Sequence, residues 1–121
     1  MNPIVLLFVQ DAECRLEIDA VASELGAECV YVAFGDHLTD LVDRTKPFLL
    51  IIEFSNDVAN WLQRHISEIK ADHADFPVIG IVRDGDSEAD YARLERVGCN
   101  RILTRKTFPK KAKALIEQYL R

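Results

Sequence analysis

The residues best able to do chemistry in this sequence are charged side chains that stand at the ends of apolar segments. Glu53 is the one charge in the most apolar stretch of the chain. Asp11 and Glu13 follow the first apolar run, and Arg105 and Lys106 follow the last short one. Carboxylates can hold a divalent cation or accept a transferred group, and guanidinium or ammonium groups bind anionic oxygens. We expect a carboxylate at the end of so apolar a stretch to have a partner.

Length and composition bound the kind of protein that can present these groups. The chain has 121 residues, of which 49% are hydrophobic and 29% charged, and this composition predicts one globular domain spanning residues 1–121. The formal net charge of −5 disfavours a dedicated nucleic-acid surface. No apolar run approaches the length of a bilayer span and no signal peptide is evident, so we expect a cytoplasmic protein that does not bind membranes.

The cysteines and histidines indicate neither a metal site nor a disulfide framework. The three cysteines are an odd number without a C-x-x-C pair, and no histidine has a second ligand at helical or hairpin spacing. These residues are Cys14, Cys29, Cys99, His37, His65 and His73. A thiolate is favoured near a helix start such as that of Cys14, but this residue also shares an apolar stripe with Ile18 and Val21. We expect Cys14 to pack rather than react.

Apolar segments typical of buried strands alternate with segments whose apolar residues recur at helical spacing. The predicted strands cover residues 4–9, 29–33, 48–54, 77–82 and 101–104. The predicted helices cover residues 14–25, 36–44, 58–69, a segment that ends at 97, and 108–119. This alternation predicts right-handed crossovers and an α/β three-layer sandwich, in which a parallel sheet is buried between two helical layers.

Polar residues mark the boundaries between these elements. Ser55, Asn56 and Asp57 are possible N-caps of the third helix, and residues 83–86 predict a polar loop before the fourth. In an open parallel sheet the working residues lie beyond the carboxyl ends of the strands. The candidate site is therefore expected just past Val9, Glu53, Val82 and Thr104.

Three segments carry a resemblance to a known family. Residues 46–54 (KPFLLIIEF) resemble the central strand of the receiver domain of two-component response regulators, which ends in a phosphoryl-accepting aspartate. Residues 77–83 are similar to the fourth strand of that family, and residues 98–104 to its glycine-led entry to the fifth. The resemblance covers nearly the whole chain. It implies a flavodoxin-like (βα)5 topology with a five-stranded parallel sheet in the order 2-1-3-4-5.

The resemblance also assigns the family's functional positions. The family uses an acidic pair for magnesium, an acceptor aspartate, a Ser or Thr hydroxyl, an aromatic switch residue and a lysine, which together hold and neutralise the phosphoryl group. The equivalents here are Val9 and Gln10 for the acidic pair, Glu53 for the acceptor, Val82 for the hydroxyl, Ile102 for the aromatic residue, and Arg105 or Lys106 for the lysine.

These equivalents depart from the chemistry of the family. Val9 and Gln10 offer no carboxylate, Val82 offers no hydroxyl, and Glu53 places its carboxylate about 1 Å beyond the position of an aspartate, a displacement that matters for catalytic geometry. We therefore expect a pseudo-receiver that is not an enzyme, holds no magnesium or other cofactor and acts through protein–protein interaction. One alternative is a working acceptor at Glu53 with magnesium held by Asp11 or Glu13. Another is a flavodoxin-like small-ligand domain, although no Gly-rich phosphate loop follows any predicted strand.

Two side-chain roles stay open at this level. Glu53 could form a fixed ion pair with Arg105 or Lys106 in place of a phosphate-dependent contact, or both basic side chains could point to water. Asp11 could approach the site after a one-residue shift of its loop, or it could simply cap the first helix near its positive end.

The resemblance implies a partner surface. In receivers, the face made by the fourth helix, the fifth strand and the fifth helix commonly contacts partners, and a signalling protein or a second copy of the chain could occupy it here. The candidate residues are Tyr91, Arg93, Arg96, Arg101, Lys110 and Lys113. Ordinary surface polarity explains any one of them equally well.

Overall fold

The computed structural model describes residues 2–83 and 88–120. Within these residues, five strands alternate with five α-helices. The strands are β1 (Ile4–Phe8), β2 (Glu28–Tyr31), β3 (Leu49–Glu53), β4 (Val78–Val82) and β5 (Arg101–Thr104). The helices are α1 (Ala12–Glu24), α2 (Leu38–Thr45), α3 (Ala59–Asp72), α4 (Glu88–Val97) and α5 (Phe108–Leu120), with a 3-10 turn at Asn56–Val58 before α3.

All four strand pairings are parallel, and the sheet has the order β2-β1-β3-β4-β5. This order and the three-layer α/β architecture confirm the sequence prediction. The inner strands β1, β3 and β4 read as continuous apolar runs because helices cover both faces of the sheet.

Alternate residues of the inner strands feed two separate cores. Leu6 and Leu50 point to one core, which packs against α2, α3 and α4. Leu7 and Ile51 point to the other, which packs against α1 and α5. This is the period of two that a strand imposes on its side chains. Burying each such side chain stabilises the fold by about 1.5–3 kcal/mol relative to leaving it exposed.

The second helix begins later than predicted. It starts at Leu38 with His37 at its N-cap, whereas the sequence pattern placed its start at Asp36. The reason is a local turn in which the Asp36 carboxylate accepts a hydrogen bond from the Ala33 amide at 2.8 Å. Gly35 supplies the positive φ of 96° that this turn requires. An aspartate that bonds back to the preceding loop is not available to start the helix.

The predicted capping of the third helix is also different. Ser55 makes no side-chain capping hydrogen bond, and Asn56 and Asp57 lie inside the 3-10 turn rather than at the N-cap of α3. Val58 occupies that N-cap position. The turn satisfies part of the helix start with backbone bonds, since the Val58 amide donates to the Ser55 carbonyl at 3.2 Å. Of the predicted loop at residues 83–86, only Arg83 lies within the described residues.

The carboxyl ends of the strands form a common edge, where the loops after them meet. Two backbone hydrogen bonds continue the pairing just beyond the strands. The Phe54 amide donates to the Ile81 carbonyl at 2.8 Å, and the Arg105 amide donates to the Val82 carbonyl at 2.9 Å. These bonds fix where the chain leaves β3 and β5, and so they position Glu53 and Arg105. Within the described ranges, no helix is long and apolar enough to cross a membrane.

Candidate functional site

Glu53 ends β3 with its carboxylate turned toward the loop that follows β1. Its Oε1 accepts hydrogen bonds from the backbone amides of Gln10 at 2.9 Å and Asp11 at 3.2 Å. Only 13% of the Glu53 side chain is exposed, so these amides replace much of the water that a free carboxylate would bind. The expectation that this carboxylate has a partner is confirmed, and the partners are main-chain groups.

Asp11 joins the first helix to the loop after the last strand. Its Oδ2 accepts a hydrogen bond from the Cys14 amide at 2.9 Å, which caps α1. The same oxygen lies 2.6 Å from Nη2 of Arg105. Of the two roles that the sequence left open for Asp11, the helix cap is present, and the same carboxylate also binds the basic residue that follows β5.

Arg105 lies between two carboxylates. Its Nη2 forms the short ion pair with Asp11, and its Nε lies 3.8 Å from Oε2 of Glu53. Of the alternatives left open for Glu53, the structure therefore has the ion pair with Arg105, at a distance longer than a hydrogen bond. The reason is that Oε1 of Glu53 is held by backbone amides while Asp11 takes the end of the guanidinium. Lys106 is exposed at the outer rim of the site.

An open cleft of about 480 Å³ lies over this cluster. The charged residues that line it are Asp11, Glu13, Glu17, Arg83, Arg105 and Lys106. Three formal negative charges face three positive ones, so the cleft has no strong preference for an anion or a cation. Glu17 was not anticipated, although it follows Glu13 by four residues and therefore lies on the same face of α1.

The remaining positions assigned by the resemblance offer no oxygen ligand to the cleft. Val82 is fully buried and Val9 is 5% exposed, and both belong to the apolar core. Gln10 has an exposed side chain and contributes its backbone amide instead. Ile102 is half-buried and packs against the core under α4.

Cys14 is a core residue beside the site. It is 5% exposed and packs with Ile18 in the core under α1 and α5. Burial, followed by the nearby charge of Glu53, raises the pKa of the Cys14 thiol to about 11, while Arg105 acts in the opposite direction. The expectation that Cys14 packs in the core is confirmed, and the raised pKa disfavours the thiolate at neutral pH.

No protein-family model and no curated protein matches the sequence. Solved structures do match it. A CheY-like protein, TadZ of Pseudomonas aeruginosa PAO1, has a TM-score of 0.82 at 15% identity, over 98% of this chain and 99% of that one. A response regulator from Hahella chejuensis has a TM-score of 0.81 at 15% identity, over 98% and 95% of the two chains. The orphan response regulator HP1043 of H. pylori has a TM-score of 0.75 at 20% identity, over 98% and 97%.

The chain has the receiver-domain fold. At identities of 15 to 20% this likeness concerns the fold, and the function has to be argued from the side chains of the site.

The six candidate residues of the partner face differ in whether they contact other parts of the chain. Lys113 donates to Oε1 of Glu24 at 2.7 Å and so ties α5 to α1, and this hydrogen bond raises the pKa of the Lys113 ammonium. Arg93 lies 5.9 Å from the centre of the Phe54 ring. With the Gln63 amide turned so that its oxygen faces Arg93, that oxygen accepts a hydrogen bond from Nε at 2.9 Å. Two of the six candidates, Lys113 and Arg93, therefore contact side chains of other elements.

The other four candidates have varied surroundings. Arg96 bonds back to its own helix, with its Nε 3.4 Å from the Ala92 carbonyl. Tyr91 and Arg101 line a cleft of about 640 Å³ between α4 and β5. Lys110 is exposed on α5. Tyr91 and Arg101 are thus the two candidates that line a cleft on this face.

Replacing Asp11 separates its two roles. Asp11→Ala removes the cap of α1 and the pair with Arg105, and we expect a loss of about 0.5–2 kcal/mol from the cap and up to about 1 kcal/mol from the half-exposed pair. Asp11→Asn keeps a side-chain oxygen for the cap and should lose only the smaller part. Urea unfolding measures both changes in the free energy of unfolding.

Glu13→Gln is the matched control for this pair of variants. It removes a carboxylate from the same helical turn, and its effect should stay within a few tenths of a kcal/mol, about the size of the lost interaction with the helix dipole. Equal losses for Asp11→Asn and Asp11→Ala would show that the cap contributes nothing measurable.

Proposed function

We propose that this chain is a receiver-like regulatory domain that carries no phosphoryl group on residue 53 and acts by binding protein partners in the cytoplasm. The observation that supports this proposal is that the charged side chains of the site already have partners within the chain. Asp11 binds Arg105 at 2.6 Å, and Glu53 accepts two backbone amides. The groups that would serve a metal ion and a phosphoryl group are occupied within the chain.

Magnesium binding is disfavoured by the ligands on offer. Mg²⁺ requires near-octahedral oxygen coordination, usually with one or two carboxylates. The side chain of Val9 has no oxygen atom that could bind a metal ion. Oδ2 of Asp11 already accepts the Cys14 amide and pairs with Arg105. A cation at this position would have to displace a guanidinium from the carboxylate and would then lie beside its positive charge. We therefore propose that the guanidinium of Arg105 supplies, beside Asp11, the positive charge that a bound Mg²⁺ ion would otherwise supply.

Two features disfavour phosphoryl transfer to Glu53: the orientation of its carboxylate and the lack of a hydroxyl at position 82. The carboxylate is held toward the β1–α1 loop by two amide hydrogen bonds, so an attack through Oε1 would require breaking them. The fully buried Val82 offers no hydroxyl to a phosphate oxygen. Without metal and hydroxyl, the charge that develops on a transferring phosphoryl group lacks the contacts that normally stabilise it. We therefore propose that the domain is not an enzyme.

The proposed output is a protein contact on the face of α4, β5 and α5. Tyr91 and Arg101 line the open cleft there, and aromatic and arginine side chains are the types enriched at protein interfaces. Receiver folds without working phosphate chemistry can still present this face in one fixed conformation. The occupant is a signalling protein, and a second copy of this chain is the simplest one to test.

Phosphoryl transfer is tested with a small phosphodonor. The protein is incubated with acetyl phosphate and Mg²⁺, and intact-mass spectrometry measures the product. We expect no mass gain of one phosphoryl group, under conditions in which an active receiver run in parallel is modified. A gain that Glu53→Gln abolishes and Asp57→Asn preserves would contradict the proposal, because it would identify Glu53 as a working acceptor. Asp57 is a suitable control because it is an exposed acid outside the cleft.

Self-association through the partner face is tested by sedimentation velocity. If the partner is a second copy, the sedimentation coefficient of the wild-type chain rises with concentration, and Arg101→Glu removes the rise by reversing a charge at the cleft. Arg44→Glu, a matched exchange of an exposed arginine on α2, should leave it unchanged. A wild-type coefficient that does not depend on concentration would rule out self-association through this face.

A further inference from the structure

A second cluster of titratable groups lies away from the cleft, where the start of α2 meets α3. His65 is a buried polar residue at its centre, with 3% of the residue exposed. Its Nδ1 is buried without a hydrogen-bond partner. The proposed regulatory site does not use this residue, and an unpaired buried nitrogen is uncommon enough to need an explanation.

Aromatic rings enclose the imidazole. The His37 ring contacts it edge-on, with ring centroids 5.6 Å apart and an interplanar angle of 85°. The Trp61 ring lies 5.2 Å from it, and the exposed Phe34 covers Trp61 at the same centroid distance. His37 is the N-cap residue of α2, so the ring contact joins the start of that helix to α3.

Glu68 makes the second link between the two helices. Its Oε2 accepts a hydrogen bond from Oγ1 of Thr39 on α2 at 3.2 Å. The same oxygen lies 3.9 Å from Nδ1 of His65, which is too far for a hydrogen bond. The other oxygen lies 3.8 Å from Nε of Arg64. The Glu68 oxygen that faces Nδ1 of His65 therefore already accepts a hydrogen bond from α2.

We propose that His65 is a proton-sensitive latch that holds the start of α2 against α3 while its imidazole is neutral and releases it when the ring is protonated. A proton added at Nδ1 needs an acceptor. The nearest one is Oε2 of Glu68, and taking it draws that oxygen away from Thr39. Turning toward water instead would break the ring contact with His37. Either response removes a contact between the helices.

The charged groups around His65 set the direction of its titration. Burial is the largest influence and lowers the pKa of His65 below its ordinary value of 6.5. Glu68 raises the pKa, whereas His37 and Arg64 lower it. On the α2 side, the Asp40 carboxylate lies 3.4 Å from Nδ1 of His37. A histidine with a depressed pKa stabilises the fold above pH 6.5, and this stabilisation is lost as the pH falls from 6.5 through the folded pKa.

The latch can be followed with two probes in the intact chain. Trp61 is the only tryptophan, so its emission reports on the ring next to it. The Leu41 amide donates to the His37 carbonyl at 3.1 Å, so its hydrogen exchange reports on the opening of the first turn of α2. We expect both signals to change in one transition below pH 6.5, after exchange rates are corrected for their intrinsic pH dependence.

Three variants keep the test independent of any one fold defect. His65→Phe keeps a ring but cannot titrate, and the transition should be lost. His37→Asn removes a positive neighbour and should move the midpoint to higher pH, whereas Glu68→Gln removes the negative one and should move it to lower pH. His73→Asn is the control for a second histidine between the same two helices, since His73 follows α3 and pairs with Asp43 of α2 at 3.1 Å, at the opposite end of that contact from His65.

The outcomes separate cleanly. Opposite shifts for His37→Asn and Glu68→Gln, with no shift for His73→Asn, support the latch even if His65→Phe folds poorly. A transition that persists in a folded His65→Phe protein, or shifts of the same sign in the other two variants, would overturn it. A change in Trp61 emission without faster exchange of the Leu41 amide would also overturn it, because the ring would then titrate without releasing α2.

Discussion

The Asp11 carboxylate connects the first helix of this chain to the loop that follows its last strand. It accepts the Cys14 amide at the start of α1 and binds Arg105 beyond β5. The loop it belongs to also supplies the two amides that hold Glu53 at the end of β3. Charges brought together at the partly buried edge of a parallel sheet must find partners, because water solvates them only in part. In this chain Asp11 pairs with Arg105, and Glu53 accepts main-chain amides.

The sheet imposes this arrangement. Parallel strands with helices on both faces point all their carboxyl ends to one edge, so the residues that follow β1, β3, β4 and β5 meet whatever their types are. In this chain Arg105 lies between the Asp11 and Glu53 carboxylates at this edge, and Val9, just past β1, and Val82, at the end of β4, are buried apolar residues. The fold is stabilised mainly by the two apolar cores, so it does not require one particular set of charged residues at this edge.

The strands and the order of the sheet were predictable, whereas the contacts of the site were predictable only in part. Continuous apolar runs identify strands that are covered on both faces, and the resemblance supplied their order. The later start of α2 was missed because Asp36 bonds back to the Ala33 amide, a local choice that helical spacing does not reveal. The partners of Glu53 are backbone amides, which leave no mark in the sequence. The shared role of Asp11 required knowing that α1 and the β5–α5 loop approach each other.

The most direct test of this account is a titration of the wild-type chain with Mg²⁺, followed by amide NMR shifts. The account predicts no saturable shift at the amides of Gln10 and Asp11, which donate to Glu53, because the Arg105 guanidinium already lies between the Asp11 and Glu53 carboxylates. Saturable shifts at these two amides would show that a divalent cation enters the site. The chain would then be a signalling switch with unusual ligands.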